Sequence, residues 1–121
     1  MASELKILDP ASNPFPKEPA YDVPSAPFKI FQIAEYGSII LITFMPAGKP
    51  VFNRNIYAYN NSGDLLWIIE SPSLNPKVED PYIYLAWNKE NQCIRVERFG
   101  GSRWRLDIET GKVEFMEISE R

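Results

Sequence analysis

The 121-residue chain contains no histidine. Histidine is the usual general base of hydrolases, it activates serine and cysteine nucleophiles, and it is a common zinc ligand. Its absence excludes Ser-His and Cys-His catalytic pairs and zinc sites built on imidazole. Other metal-ligand spacings and glycine-rich phosphate loops are missing too. We therefore expect a non-enzymatic protein with no catalytic residues, no cofactor and no metal.

Cysteine, basic charge and long apolar runs are also scarce. The single cysteine, Cys93, excludes an intramolecular disulfide, and its strand-like surroundings predict a buried, inert thiol. A net charge of −3 and a pI near 5.0 argue against a nucleic-acid partner. Apolar runs such as Ile39–Ile42 and Leu65–Ile69 are far shorter than the ~20 residues that cross a bilayer. Since the first residues do not resemble a secretory signal, we expect a cytoplasmic protein with no membrane partner.

Strand-like segments dominate what is present. Ile39–Met45, Leu65–Ile69 and Ile83–Trp87 are apolar on both alternating faces, which predicts strands covered on both sides. No long amphipathic helix is visible, so the cover must be the N-terminal arm, the curled sheet itself or another chain. The pattern predicts an all-β antiparallel meander of about seven or eight strands, curled or sandwich-like. The hairpin of residues 55–70 has no polar face, so we expect it at the centre of the sheet.

Proline sets the domain organisation. Residues 1–27 hold six of the eleven prolines, which predicts an extended arm. Its apolar residues indicate that the arm packs on a single antiparallel β domain over 28–121. Phe28–Ala34 fits a helix or a strand, and we favour a strand that turns at Glu35–Ser38 into the next one.

Two C-terminal hairpins have a register that charge pairing predicts. A loop at Gly100–Ser102 sets Glu97 opposite Arg105, Arg95 opposite Asp107 and Arg98 opposite Trp104. A loop over residues 108–111 sets Leu106 opposite Val113 and Trp104 opposite Phe115. This ladder would pair most of the four arginines between residues 95 and 105 with acidic residues and leave a soluble outer face.

Residues 55–67 and 104–113 resemble the hairpins of quinoprotein-type β-propeller repeats, in which a strand ends in a polar turn with glycine. A propeller needs at least four blades of ~40 residues, so this chain cannot close one. In general style the chain also resembles small single-sheet bacterial proteins, including uncharacterised and immunity-type proteins. That resemblance implies a toxin-neutralising inhibitor and identifies no functional residue.

Acidity, small size and many aromatics favour a protein-binding module, with a protein partner or self-association. Aromatic anchors dominate such interfaces, and the candidate partner contacts are Trp67, Tyr82, Tyr84 and Trp87. A small-ligand-binding curled sheet is the alternative, and a homodimer that hides its doubly apolar strands is a third reading.

Overall fold

The computed structural model describes residues 4–9, 28–46, 53–72 and 79–118. Those ranges contain no helix and nine strands: β1 (Leu5–Leu8), β2 (Phe28–Tyr36), β3 (Ile39–Pro46), β4 (Ile56–Tyr59), β5 (Leu65–Ile68), β6 (Tyr82–Asn88), β7 (Cys93–Arg98), β8 (Ser102–Leu106) and β9 (Val113–Ile118). The first five strands form one antiparallel meander and the last four form another. The predicted all-β meander is confirmed, with nine strands in two sheets.

The two sheets share one core. Inward-facing residues of the five-stranded sheet, such as Leu41 and Ile56, pack with Leu85, Ile94 and Val96 of the four-stranded sheet. The opposite face of the five-stranded sheet is buried as well, and its buried residues are Ile33, Ile40, Ile42, Phe44, Tyr57 and Tyr59. The prediction that the central strands are covered on both faces is therefore confirmed for β3 and β4.

The segment that fitted either a helix or a strand is strand β2. It turns into β3 through Gly37 and Ser38, with Tyr36 opposite Ile39. Gly37 has φ 59°, a left-handed conformation that glycine adopts without penalty. The prediction of a hairpin at this point is confirmed.

Part of the N-terminal segment forms an edge strand. Residues Leu5–Leu8 pair with β2 as β1, and Leu5 is buried in the shared core. Residues 10–27 lie outside the described residues, so the extended arm predicted over 1–27 stays a prediction there.

The hairpin expected at the sheet centre lies toward one side. β3 is the central strand, and β5 is an edge strand with Leu66 46% exposed. Strand β5 is apolar on both faces because Trp67 packs on the shared core while Leu65 and Ile68 pack on the second cluster. Within this hairpin Tyr57 lies opposite Ile68.

The last hairpin has the predicted register. Leu106 lies opposite Val113, and Trp104 lies opposite Phe115. The carboxylate of Asp107 accepts the Glu109 N–H at 2.9 Å, which stabilises the turn as an Asx residue does.

The predicted register of the β7–β8 hairpin is wrong. Glu97 lies opposite Arg103 and Arg95 lies opposite Arg105, because the loop consists of residues 99–101. The prediction set Arg98 opposite Trp104, whereas its side chain is buried and bonded to Asp80. The partners are displaced by two residues, so each side chain keeps its predicted face.

Two carboxamides from the five-stranded sheet join it to the edge strand β6. Gln32 donates to the Leu85 carbonyl at 3.3 Å and accepts the Leu85 N–H at 3.0 Å. Asn55 donates to the Tyr82 carbonyl at 2.8 Å and accepts the Tyr82 N–H at 2.9 Å. Each side-chain amide therefore gives a residue of β6 the two backbone hydrogen bonds that a neighbouring strand would otherwise provide.

Candidate docking surface on the four-stranded sheet

Three of the four edge strands are short or covered. β1 has only four residues, and the edge of β6 is bonded to Gln32 and Asn55. β5 ends against the β8–β9 turn, where the Glu70 N–H donates to the Gly111 carbonyl at 2.9 Å. The Trp67 indole N–H also donates to the Ile108 carbonyl, at 2.8 Å. These are standard ways in which proteins protect an edge from unwanted pairing.

Strand β9 is the exception. At its start the Val113 N–H donates to Oε1 of Glu70 at 2.9 Å. Beyond that residue, within the ranges that the structure describes, the backbone bonds of β9 go to β8. The opposite edge of β9 is thus a row of backbone groups that another strand could pair with.

An apolar patch lies beside this edge. We define the β9 patch as Trp104, Phe115 and Ile118, which lie on the face of the four-stranded sheet that is turned toward the core. The rings of Trp104 and Phe115 meet edge to face, with centroids 5.4 Å apart and planes at 80°. Phe115 is 51% exposed and Ile118 is 63% exposed, so the five-stranded sheet does not cover them. Apolar surface of this kind on an edge strand is typical of a protein contact.

The Trp104 side chain is held in place on the patch. Its indole N–H donates to Oγ of Ser102 at 2.8 Å, and its ring also packs against the shared core. A fixed aromatic side chain loses little entropy when a partner binds, which favours its use as an anchor.

A charge ladder occupies the opposite face, which we call the outer face. Arg103 forms ion pairs with Glu97 and Glu117, each with an N–O distance of 3.0 Å. The hydrogen bond to Glu97, and then that to Glu117, raise the pKa of the Arg103 guanidinium above its usual value. The predicted ladder is wrong in its members, because Arg103 rather than Arg105 lies between two glutamates, and Arg95 lies opposite Arg105.

The four predicted contact residues are dispersed. Tyr84 is on the outer face and 49% exposed, which leaves it available to a partner. Trp67 and Trp87 are partly buried against the shared core. Tyr82 is fully buried and cannot be a surface contact in this fold. The sequence located aromatics but could not indicate which of them the second sheet covers.

Tyr82 belongs instead to a buried polar cluster between the sheets. Its hydroxyl donates to the Glu70 carbonyl at 2.7 Å, and the Arg98 guanidinium lies 5.1 Å from its ring centroid. Burial raises the pKa of Tyr82 far above its usual value, and the nearby positive charge of Arg98 opposes that shift. Arg98 also bonds Ser71 and the backbone of Asp80. This cluster links the end of the five-stranded sheet to the four-stranded sheet.

A cleft of about 250 Å³ opens at one end of the sandwich. Its lining includes Tyr36 and Trp87, whose ring centroids are 6.0 Å apart, and the buried thiol of Cys93. The indole nitrogen of Trp87 is buried without a hydrogen-bond partner. The volume lies below the roughly 300–1,000 Å³ typical of ligand pockets, so this cleft is a weaker candidate than the β9 patch.

The apolar positions of Val113–Ile118 resemble those of any half-buried strand, so Phe115 and Ile118 were not among the predicted contact residues. Their exposure follows from where the five-stranded sheet ends, and no local pattern in the sequence carries that information.

Within the described ranges, no three or more acidic or cysteine side chains gather in an arrangement that could hold a metal ion. The same ranges contain no helix long and apolar enough to cross a membrane.

Within the described ranges, the fold is one of two antiparallel sheets in which the outer edge of β9 pairs with no other strand. A family model described as a domain of unknown function, DUF7957, matches residues 25–118. The chain therefore belongs to the DUF7957 family. No curated protein and no solved structure matches it.

Proposed function

We propose that the chain is a non-enzymatic protein-binding module that docks a partner on the β9 patch. The exposure of Phe115 and Ile118 beside the open edge of β9 carries this proposal. The partner would cover both side chains and pair an extended segment with β9, a common mode of peptide recognition. An immunity-type inhibitor, which neutralises a toxin by binding it, is the most concrete form of the proposal.

Other features of β9 favour selective pairing. Met116 bulges out of the register between Phe115 and Glu117, and Glu114 and Glu117 add negative charge to the strand. Bulges and charges on edge strands discourage indiscriminate association. A partner must therefore match the bulge and the acidic residues as well as the apolar patch.

Site-specific photo-crosslinking tests the location of the surface. A photoreactive phenylalanine analogue at position 115 should crosslink one discrete partner in cells that produce the protein naturally. The control places the analogue at Phe31, which is 47% exposed on the five-stranded sheet. Equal crosslinking from both positions, or none from position 115, would show that β9 is not the docking surface.

Removal of the patch should weaken binding without unfolding the protein. We expect the double variant Phe115→Ser/Ile118→Ser to bind the crosslinked partner at least about tenfold more weakly, since buried apolar anchors dominate interface energies. The matched control is Ile7→Ser/Phe31→Ser, which removes similarly exposed side chains from β1 and β2. Calorimetric titration with the purified partner measures both, and an unchanged affinity of the β9 variant contradicts the proposal.

Self-association is a distinct outcome of the same experiments. Light scattering would then give twice the monomer mass, and the crosslink from position 115 would join two copies of this chain. That result replaces the foreign partner with a homodimer formed through β9.

The aromatic cleft supports a second candidate function, the binding of a small ligand. Its Tyr36–Trp87 ring pair could stack against a planar molecule. A thermal-shift screen tests it, because a ligand of the folded state raises the melting temperature by mass action. Substitution of Trp87 by leucine should abolish such a shift, whereas the β9 variant should retain it.

A further inference from the structure

Two arginines lie side by side on the outer face with no neutralising partner. Arg95 of β7 lies directly opposite Arg105 of β8. Directly opposed residues of antiparallel strands have Cβ atoms about 4.5–5.5 Å apart, and like charges placed there are destabilising. No ion pair or hydrogen bond joins either arginine to another residue of the described ranges.

In the neighbouring row of the same face, the positive charge of an arginine is neutralised by glutamates. There Arg103 lies between Glu97 and Glu117 and contacts both at 3.0 Å. In the row of Arg95 and Arg105 the next residue across is Glu114, opposite Arg105, and it comes too far from the guanidinium to form an ion pair. On this face Arg103 thus forms two ion pairs, whereas Arg95 and Arg105 form none within the described ranges.

Burial makes the lack of a hydrogen-bond partner more unfavourable at Arg95. Its Nε is buried and has no hydrogen-bond acceptor, and a buried donor without a partner is unfavourable. Arg105 is exposed and borders a surface groove of about 340 Å³, lined also by Asp107, Lys112, Val113 and Glu114. An incoming acceptor can therefore reach Arg105 from solvent through this groove, and Arg95 lies next to Arg105 across the two strands.

The surrounding charges limit the kind of anion. Glu97 and Glu114 lie close to the pair on the same face, and Asp107 lines the groove. An extended polyanion such as a nucleic acid would meet these carboxylates along its length. A single carboxylate would not, and it matches the planar donor fork of a guanidinium.

We propose that Arg95 and Arg105 form a receptor for a single carboxylate group of a partner protein. The assignment of the carboxylate to a protein rests on the proposed function. The pair itself is independent of the β9 patch, which lies on the other face of the sheet.

The test uses a short capped peptide with one glutamate flanked by glycines. The NMR signals of the arginine Nε–H groups are followed as the peptide is added to the full-length ¹⁵N-labelled protein. We expect saturable shifts at Arg95 and Arg105 that exceed those at the ion-paired Arg103. The same peptide with glutamine in place of glutamate should give no shift. Equal shifts at all three arginines would mean general charge screening and would overturn the proposal.

Inorganic phosphate supplies a second arm of the titration. It presents the same oxyanion chemistry without a protein segment. Weaker binding than the glutamate peptide supports the assignment, whereas tighter binding overturns it in favour of a free phosphate ligand.

Variants test the geometry of the pair. Arg105→Gln should weaken peptide binding about tenfold or more, because a charge-assisted hydrogen-bonded contact is lost. Arg105→Lys keeps the charge but loses the planar fork, so it should recover only part of the affinity. Lys6→Gln removes an exposed positive charge from β1, in the other sheet, and should change the affinity by less than about twofold in moderate salt. An equal loss in Lys6→Gln would overturn the pair as the receptor.

The two proposals fail in different ways. The Phe115→Ser/Ile118→Ser variant should bind the glutamate peptide with unchanged affinity. If no partner docks on β9 while the glutamate peptide still binds, the β9 proposal is wrong and the arginine receptor stands. If the peptide does not bind while a partner docks on β9, the arginine receptor alone is wrong.

Discussion

Replacement of Asn55 by leucine is expected to lower the free energy of unfolding by about 3–5 kcal/mol, because three buried backbone groups lose their partner, each worth roughly 1–3 kcal/mol. These groups are the N–H and carbonyl of Tyr82 and the carbonyl of Phe44. Leucine has the same branched shape and number of side-chain heavy atoms, so the loss comes from hydrogen bonding rather than from a cavity. Small domains have only about 5–15 kcal/mol of total stability, so the effect is large.

Urea unfolding followed by circular dichroism measures this effect. The matched control is Asn91→Leu, which changes an exposed asparagine in the β6–β7 turn and should stay within about 0.5 kcal/mol of the parent protein. Gln32→Leu should fall between the two, since it removes two hydrogen bonds to Leu85. A loss below about 1 kcal/mol in Asn55→Leu would mean that water or a shifted backbone replaces the amide.

The second large effect is expected from Gly111→Ala. Gly111 has φ 77°, and a Cβ at this position would lie 2.5 Å from Cε3 of Trp67. Alanine would pay about 1 kcal/mol for the left-handed backbone and would also displace the indole, for a total loss of about 3 kcal/mol. The displaced indole would lose its 2.8 Å hydrogen bond to the Ile108 carbonyl.

The matched control separates the backbone penalty from the effect of the contact with Trp67. Gly37→Ala introduces the same side chain at φ 59° on an exposed turn, so it carries the backbone penalty alone. Denaturant unfolding compares the two variants, and the NMR signal of the Trp67 indole N–H reports the contact directly. Equal losses in both variants, with the indole signal unmoved, would show that Trp67 yields to the added methyl group.

Local chemistry in the sequence predicted local structure well. The β2–β3 turn at Gly37 and the β8–β9 register were predictable because each depends on a few adjacent residues. The β7–β8 register was not, because Arg98 is drawn into the interior by Asp80, eighteen residues earlier in the chain. Charge pairing between neighbouring strands cannot predict that contact.

The candidate surface depends on long-range geometry in the same way. Trp104 opposite Phe115 could be predicted from the turn, but the exposure of Phe115 depends on the extent of the other sheet. Likewise Arg95 and Arg105 face each other only because the loop includes Phe99. A displacement of two residues would have paired both arginines with acidic residues and removed the candidate receptor.

The arrangement of each sheet as a separate meander has a consequence for the order of folding. Within each sheet the strands pair in sequence order, so the short hairpins close at low entropic cost and can form early. The amide contacts differ, because Gln32 and Leu85 are separated by 53 residues and Asn55 and Tyr82 by 27. These contacts can form only when one meander meets the other. The two amides therefore belong to the assembly step, in which two locally folded halves of the chain recognise each other.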